Sequence, residues 1–436
     1  MKARPRASMP RALAVLVATA ALGTASACSQ SAETTTSPTD KLEVVSWWTS
    51  GSEHAALDVL FTDYKKAHAD VTIQNAAVAG GGGSNVQVVL ASRLRATDPP
   101  DVWQTFLGAS LREYVARGLV NDVSSVYQAD NLTATFPKKI MDAVTVDGKQ
   151  WGVPTGSHRS NVLFYNLKLL TQAGIAEPPS GYTAESLIAD LSKLKKAGVT
   201  PLCLGGKDAF ASAELFENTL LGVVGPAGWG KITADKFAWT GPDAKKALTQ
   251  FGQLLDDADP ASGGLTWAQA TKKLAEGGCA FESINDSAYG ELVTDGATEG
   301  TDFGAVAFPG TDADYLAVVD TFVSGKGAKN GKNALDFLKV LGSPETEAAF
   351  NKVKGSVPLR SDVDMSAMSP YERAATTSLR QGTVLLSIVH GEAMSPSFQQ
   401  GFYDAVSAYV KGRNVRAFAN TLAEAVNTAA QVPAAH

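Results

Sequence analysis

The sequence predicts an α/β protein that contains a parallel sheet and folds as two domains. Strand-like and helix-like segments alternate in the first third of the chain, which is typical of parallel sheets. About 400 residues follow an N-terminal export signal, and this is more than one hydrophobic core usually supports. The C-terminal part has helical patterns to its end.

The first strand is predicted in KLEVVSWW (41–48), which is rich in β-forming residues. Ser52 is the expected N-cap of an amphipathic helix that follows, and DVTIQNA is the second strand. The glycine run at 80–83 precedes another amphipathic helix, which the prolines at 99–100 end because proline lacks a backbone N–H. DVWQTF (101–106) is then the third strand.

Further along, residues 149–170 predict a short strand, a Pro-Thr-Gly turn at 154–156 and the apolar strand NVLFYN. The clearest helix of the middle part is GYTAESLIADLSKLKKAG, and FGAVAFPG and AVVDTFVSG are predicted strands. Near the C-terminal third, Ser343 is the expected cap of a helix that has Pro344 in its first turn.

Residues 1–27 have the features of a secretion signal. Four basic residues precede an apolar run from Ala12 to Leu22, which is too short to span a membrane, and small residues follow it. ASAC at 25–28 resembles a lipobox, the site at which a bacterial lipoprotein is lipidated on Cys28 and cleaved before it. A plain secretory signal cleaved nearby is the alternative. Residues 28–40 are polar and predict a flexible tether.

Net charge excludes one class of function. The formal charge is −6, and removal of the signal takes away four positive charges and no negative ones, which leaves −10. An acidic chain with no basic cluster is a poor binder of nucleic acid. No apolar run of about 18 residues follows the signal, so a lipid on Cys28 would be the attachment to the outer face of the cell membrane.

Two cysteines, Cys203 and Cys279, remain after Cys28. Each lies in an apolar, strand-like segment. In an exported protein they could form a disulfide, or they could be two buried thiols that behave as small apolar residues. The sequence does not separate these alternatives.

Several kinds of chemistry lack their residues. GPAGWGKI (225–232) has the spacing of a phosphate-binding loop, but Ile232 stands where a Ser or Thr is required. The five histidines form no HExxH motif, and no G-x-S-x-G motif occurs, so we expect no metal, no cofactor and no hydrolytic serine. The sequence does not exclude the paired carboxylates of a glycosidase, because it does not give the distance between two carboxyl groups in the folded protein.

The remaining pattern suits sugar recognition, which needs flat aromatic faces and planar hydrogen-bonding groups. Such residues follow predicted strands: Trp47, Trp48, Glu53, Gln104, His158, Arg159, Asn161 and Asp286. Ligands of parallel α/β sheets bind beyond the carboxyl ends of the strands. The positions therefore agree with the chemistry.

A family resemblance rests on several segments taken together: KLEVVSWWTSGSE, DPPDVWQTF, WGVPTGSHRSNVLFYN, GCAFESIND and KGSVPLR. In number and order they resemble extracellular solute-binding proteins of sugar ABC importers. Within that group, SWW, GSHRSN, VVDTF, GAKN, KGS and SIVHG are most similar to the branch that binds glucose, galactose or mannose. The resemblance covers essentially the whole chain after residue 41.

This resemblance implies a two-lobed periplasmic-binding-protein-like α/β fold of type II, with a ligand cleft between lobes joined by hinge crossings. The N-terminal lobe would comprise 41–155 plus 316–355, and the C-terminal lobe 156–315 plus 356–436. Sugar would favour a closed state that the permease recognises, without covalent chemistry. The protein would act as a monomer.

Carried over to this sequence, the resemblance implies the following ligand-binding residues: Trp47, Trp48, Glu53, Gln104, Phe106, His158, Trp267, Asp286, Asp320, Lys354 and His390. Structural roles stay open for some of them. One of the two adjacent tryptophans faces the core on alternation grounds. Trp267 could simply open a helix, Lys354 could cap the helix that ends at Gly355, and His390 could be a core histidine.

Two positions depart from the glucose-binding pattern. Phe106 stands where those relatives have a histidine, and Ser287 stands where they have a tryptophan. The expected ligand is therefore a monosaccharide such as glucose, galactose or mannose, with a short oligosaccharide or a non-sugar solute as the alternative. A secreted glycosidase is the less favoured possibility.

Overall fold

The computed structural model describes residues 40–80 and 83–431. The predicted secretion signal, Cys28 and most of the predicted tether lie outside the described residues, so the expectations about them stay predictions. Within the described part of the chain, no helix is both long enough and apolar enough to cross a membrane.

The strands, in chain order, are β1 (Lys41–Val45), β2 (Thr72–Asn75), β3 (Val102–Phe106), β4 (Thr145–Val146), β5 (Lys149–Gln150), β6 (Val153–Arg159), β7 (Val162–Asn166), β8 (Leu202–Cys203), β9 (Phe281–Ser283), β10 (Phe303–Ala307), β11 (Asp314–Ser324) and β12 (Thr383–Leu386).

The helices are α1 (Gly51–Ala67), α2 (Ser84–Arg95), α3 (Ala109–Ala116), α4 (Ser124–Ala129), α5 (Leu132–Thr135), α6 (Lys138–Val144), α7 (Leu167–Gln172), α8 (Ala184–Lys196), α9 (Ala209–Thr233), α10 (Pro242–Asp256), α11 (Trp267–Ala275), α12 (Ser287–Thr294), α13 (Gly331–Gly342), α14 (Pro344–Lys354), α15 (Pro370–Gln381), α16 (Pro396–Gly412) and α17 (Val415–Gln431).

The larger sheet has the order β12-β11-β3-β1-β2, and β6 also pairs with β11. Strands β2, β1 and β3 are parallel, as the alternation of strand and helix predicts. Strand β11 is antiparallel to both β3 and β6, so the larger sheet is mixed, with the predicted parallel strands β2, β1 and β3 on one side of it. Local alternation cannot reveal this arrangement, because β11 returns from more than 200 residues downstream in the chain. All eleven of its residues are buried.

The Pro-Thr-Gly turn predicted at 154–156 is wrong, because these residues lie inside β6. Their pairing with β11 shifts register between Asp320 and Thr321, and this irregularity accommodates the proline. Gly156 is required by a close approach: a Cβ there would lie 2.0 Å from Oδ1 of Asn351. The Pro-Thr-Gly sequence therefore marks an irregularity within strand β6, not a turn.

The smaller sheet has the order β10-β7-β9-β8, antiparallel except for the β8–β9 pair. Cys203 in β8 and Cys279 just before β9 form a disulfide, with Cα atoms 5.6 Å apart. Of the two alternatives left open by the sequence, the structure has the bridge. It closes a loop of 76 residues and fixes one edge of this sheet.

Helix ends follow the predicted signals with one shift. Helix α1 begins after Ser50, two residues before the expected cap, because Ser52 is drawn into the first turn by Glu291. The predicted cap of α14 is confirmed: Ser343 accepts from the backbone N–H of Thr346, and Pro344 occupies the first turn. Residues 225–232, which have the spacing of a phosphate-binding loop, lie in α9.

Helix α9 changes direction at Gly225, whose φ of 62° falls in the left-handed region that favours glycine. Pro226 follows and begins the second segment of this helix. The break directs Trp229 against β12, where its indole N–H donates to the carbonyl of Leu386 at 3.2 Å. Strand β12 belongs to the larger sheet, although its residues fall in the range expected for the C-terminal lobe.

Candidate functional site

A cavity lies where the ends of β1, β3, β6 and β11 face α9, α11 and the segment after β9. It encloses about 420 Å³ of space between protein atoms, its open side included. Its wall contains these predicted ligand-binding residues: Trp47, Glu53, Phe106, His158, Trp267, Asp320, Lys354 and His390. The structure therefore brings together residues that are more than 300 positions apart in the chain.

Lys354 forms the centre of the polar floor. Its side chain is 1% exposed and comes from the last residue of α14, just before Gly355 in the left-handed conformation. Its Nζ donates to Oε1 of Glu53 at 3.0 Å and to Oγ of Ser287 at 3.4 Å, and it lies 3.0 Å from Nε2 of His158. Because a buried ammonium is stable only with polar partners, this lysine is held in place by its surroundings.

His158 connects two carboxylates beneath the floor. Its Nδ1 lies 2.6 Å from Oδ1 of Asp286, and its Nε2 lies 3.4 Å from Oδ2 of Asp320. Oδ1 of Asp320 in turn accepts a 2.7 Å hydrogen bond from the amide of Gln104. These bonds fix the ring and the carboxylate, so the floor is preorganised.

Burial and charge act in opposite directions on the pKa values of this cluster. Burial lowers the pKa of Lys354, but Glu53 and Asp320 outweigh it, so the pKa is raised. Burial and Lys354 lower the pKa of His158, but its bonds to Asp286 and Asp320 raise it overall. Burial raises the pKa of Asp320, but His158 and Lys354 lower it overall. The cluster thus holds both signs of charge in close contact.

Aromatic rings cover the other side of the cavity. The Trp47 and Phe106 rings have centroids 5.0 Å apart, and Phe106 meets the ring of His390 edge to face at 5.1 Å. Gly83 lies behind Trp47, since a Cβ at that position would be 2.7 Å from the indole. Phe210 and Trp267 complete the wall from α9 and α11. Aromatic faces opposite a polar floor suit a ligand that is apolar on one side.

Three predicted residues lie beneath the cavity surface. Trp48 is fully buried and packs against Phe322 and Phe350, so Trp47 is the tryptophan that faces the cavity. Gln104 is 1% exposed and holds Asp320, while its Oε1 accepts from the backbone N–H of Trp47. Asp286 accepts from the backbone N–H of Arg159 and the hydroxyl of Tyr371. Gln104 and Asp286 position the residues that line the cavity.

Sequence reasoning missed Phe210, Asn285 and Val318, which also line the cavity. Val318 is two residues before Asp320 on β11, so strand alternation could have found it. Asn285 precedes Asp286, and its amide donates to Oε1 of Glu214 at 2.9 Å. Phe210 lies near the start of a long helix and carries no local signal of its role.

Behind Asn285, Glu214 is completely buried, and its burial raises the pKa to about 7 against the hydrogen bonds from Asn285 and Ser160. Nε2 of His390 lies 3.7 Å from this carboxyl group. Burial lowers the pKa of His390 to about 3, so the ring is neutral at pH 7. His390 therefore offers the cavity an uncharged hydrogen-bonding ring.

A larger open cavity adjoins the first one and shares Trp47, Glu53, Phe210 and Trp267 with it. It encloses about 1950 Å³ with its open side included. The two cavities therefore form an inner chamber and an outer groove. Within the described ranges, no group of three or more His, Cys, Asp or Glu side chains is arranged to hold a metal ion.

A comparison with known protein families shows which family the chain belongs to. Residues 48–348 match the family described as bacterial extracellular solute-binding protein. The protein belongs to this family.

Two relatives of this solute-binding protein align with it over most of their length. A probable sugar-binding periplasmic protein of Brucella suis is 30% identical over 379 residues, covering 85% of this chain and 88% of the relative. An uncharacterised ABC transporter extracellular-binding protein of Pyrococcus horikoshii is 30% identical over 398 residues, covering 91% and 89%.

A solved structure shows the same fold. A bacterial solute receptor described as having an exclusive preference for β-D-galactopyranose superposes with a TM-score of 0.78 at 19% identity, covering 90% of this chain and 99% of that one. The predicted fold class, a two-lobed α/β solute-binding protein, is thereby confirmed.

Proposed function

We propose that the protein binds a sugar in the inner chamber and presents it to an ABC transporter permease, without changing it chemically. The observation that carries this proposal is the Lys354–His158–Asp320 cluster facing Trp47 and Phe106. A pyranose has hydroxyls that need both donors and acceptors, and a C–H face that packs on aromatic rings. The chamber offers both.

The chamber favours a neutral monosaccharide such as glucose, galactose or mannose. Lys354 and His158 are balanced by Glu53, Asp286 and Asp320, so no unpaired positive charge is left for an anionic ligand. The free-energy cost of removing sugar hydroxyls from water is offset when each hydroxyl meets a fixed hydrogen-bond partner. Glu53, Asp320 and His390 act as acceptors, while Lys354 and Asn285 donate.

A short oligosaccharide is the second candidate, and the outer groove is the observation that favours it. The groove begins at Trp47 and Trp267, which also line the inner chamber, so one sugar unit in the chamber could continue into it. Departure from the glucose-binding pattern at Phe106 and Ser287 points the same way. Non-sugar solutes and a glycosidase activity are outcomes that the experiment below also detects.

A thermal-shift screen tests the proposed function. The mature protein is screened against monosaccharides, disaccharides, amino acids and polyamines, because a ligand that binds the folded chain raises its melting temperature. We expect hexoses to give the largest rise. Stabilisation by amino acids or polyamines alone would contradict the proposal, as would release of the chromophore from chromogenic glycosides.

We further propose that residues 41–155 plus 316–355 and residues 156–315 plus 356–436 form lobes that close on the ligand, and that the mature protein is monomeric. Closure would favour the state the permease recognises. Small-angle scattering with and without the sugar tests both points. We expect a smaller radius of gyration with sugar at the mass of one chain.

A lipid on Cys28 is proposed to hold the protein at the outer face of the cell membrane. ASAC at 25–28 and the polar tether after it support this proposal. Metabolic labelling with an alkyne-modified fatty acid tests it. We expect label on the wild-type chain and none on Cys28→Ser, whereas equal labelling of the two would contradict the proposal.

A further inference from the structure

A second cavity lies where the later part of α9 meets β12, α3 and α6. It encloses about 750 Å³ with its open side included, and it shares no lining residue with the inner chamber. The break at Gly225 creates it, because Trp229 is thereby directed against Leu386. Pro226, Trp229, Leu385 and Leu386 give it an apolar wall.

Two cations line this cavity. Arg112 and Lys139 are both exposed, and among the described residues neither side chain has a hydrogen-bond or ion-pair partner. Partial burial lowers the pKa of Arg112. Asp142, also in the wall, accepts from Lys138 at 2.7 and 2.8 Å. The wall of the cavity thus carries two solvent-exposed cations that no carboxylate among the described residues pairs with.

Glu392 closes the inner end of the cavity. Its side chain is completely buried, and its Oε1 accepts a 2.6 Å hydrogen bond from the backbone N–H of Val319. Its Oε2 has no partner among the described residues. Burial raises the pKa of this carboxyl well above its ordinary value. An unpaired buried polar atom costs stability.

We propose that this cavity binds a small organic anion with an apolar body, such as an aromatic carboxylate or an aromatic phosphate monoester. The anionic group meets Arg112 and Lys139, and the apolar body packs on Trp229 and the two leucines. Charge-assisted bonds from a guanidinium and an ammonium suit both anionic groups.

Calorimetric titration of the mature protein tests the proposal without any sugar. The probes are phenyl phosphate and benzoate, with benzyl alcohol as the uncharged control and inorganic phosphate as the control without an apolar body. We expect saturable binding of at least one aromatic anion, and affinity at least about tenfold lower for both controls.

Variants then locate the site. Arg112→Ala and Lys139→Ala should each weaken the binding of the aromatic anion by about fivefold or more, because each removes a charge-assisted contact. Lys411→Ala is the matched control, since this exposed lysine lies on α16 and does not line the cavity. Absence of saturable binding by both aromatic anions would overturn the proposal, and so would an equal loss in Lys411→Ala, which would indicate attraction by net charge alone.

Discussion

Oε1 of Glu291 accepts two hydrogen bonds from Ser52, at 2.8 Å from the backbone N–H and at 2.9 Å from the hydroxyl. Glu291 lies on α12, which follows β9 of the smaller sheet, and Ser52 lies in the first turn of α1, which follows β1 of the larger sheet. A carboxylate at a helix N-terminus also meets the positive end of the helix dipole. The contact therefore links the helix after β1 of the larger sheet to the helix after β9 of the smaller sheet, beside the outer groove.

Glu291→Ala should weaken sugar binding about tenfold, because two buried donors lose their acceptor and the arrangement that encloses the ligand becomes less stable. Calorimetric titration with the sugar found in the screen measures the change. Asp295→Ala, an exposed change on the turn after α12, is the control. An affinity equal to that of the wild type would show that this contact plays no part in enclosing the ligand.

Asp320→Ala should weaken sugar binding by more than tenfold without unfolding the protein, because a buried hydroxyl of the ligand would lose its partner at a cost of about 1 to 3 kcal/mol. Calorimetry gives the affinity, and the melting temperature checks the fold. Asp58→Ala on the exposed side of α1 should leave the affinity unchanged. Unchanged affinity in Asp320→Ala would remove this residue from the site.

The adjacent tryptophans should respond in opposite ways. Trp47→Ala should lower sugar affinity about tenfold with little loss of stability, since it removes a ring from the cavity wall. Trp48→Ala should lower the free energy of unfolding by about 3 to 5 kcal/mol, since it empties a fully buried position. Urea unfolding and calorimetry of both variants separate the effects. A reversed pattern would mean that Trp48 faces the ligand.

Because Glu282 is buried, we expect the free energy of unfolding to fall as the pH rises. Burial raises the pKa of Glu282 from its ordinary value near 4.5 to about 8, although the neighbouring Thr271 side chain acts in the opposite direction. Between these two pKa values the folded chain keeps a proton that the unfolded chain has lost. The stabilising contribution of protonated Glu282 is therefore present below about pH 5 and is lost as the pH rises towards about 8.

Glu282→Gln should raise the free energy of unfolding at pH 8 by about 1 to 3 kcal/mol and change it little at pH 5. Urea unfolding at both pH values measures this difference. Glu345→Gln, at an exposed position of α14, is the control. Equal effects of Glu282→Gln at the two pH values would contradict a raised pKa at this site.

Local signals in the sequence predicted the elements near the chamber well. The strand DVWQTF, the helix after the glycine run and the cap at Ser343 all follow from short-range pattern. The antiparallel position of β11 and the continuation of β6 through Pro154 do not, because each depends on pairing between distant segments.

The candidate site was likewise predictable from the sequence only in part. A resemblance identified Lys354, Asp320 and His158 as neighbours, but it could not tell which residues face the cavity and which support it. Gln104 is an example: its strand position suggested a ligand contact, whereas its amide is bonded to Asp320 and its oxygen to the backbone of Trp47. Phe210 entered the wall only through the packing of α9.

Calorimetric titration of the mature protein with glucose, galactose and mannose tests the central claim most directly. Binding of one sugar per chain by at least one of the three, abolished or weakened more than about tenfold by Lys354→Met, is the predicted result because Lys354 holds the centre of the polar floor. Absence of binding to these hexoses and to short oligosaccharides, in a folded protein that binds an amino acid or a polyamine, would contradict it.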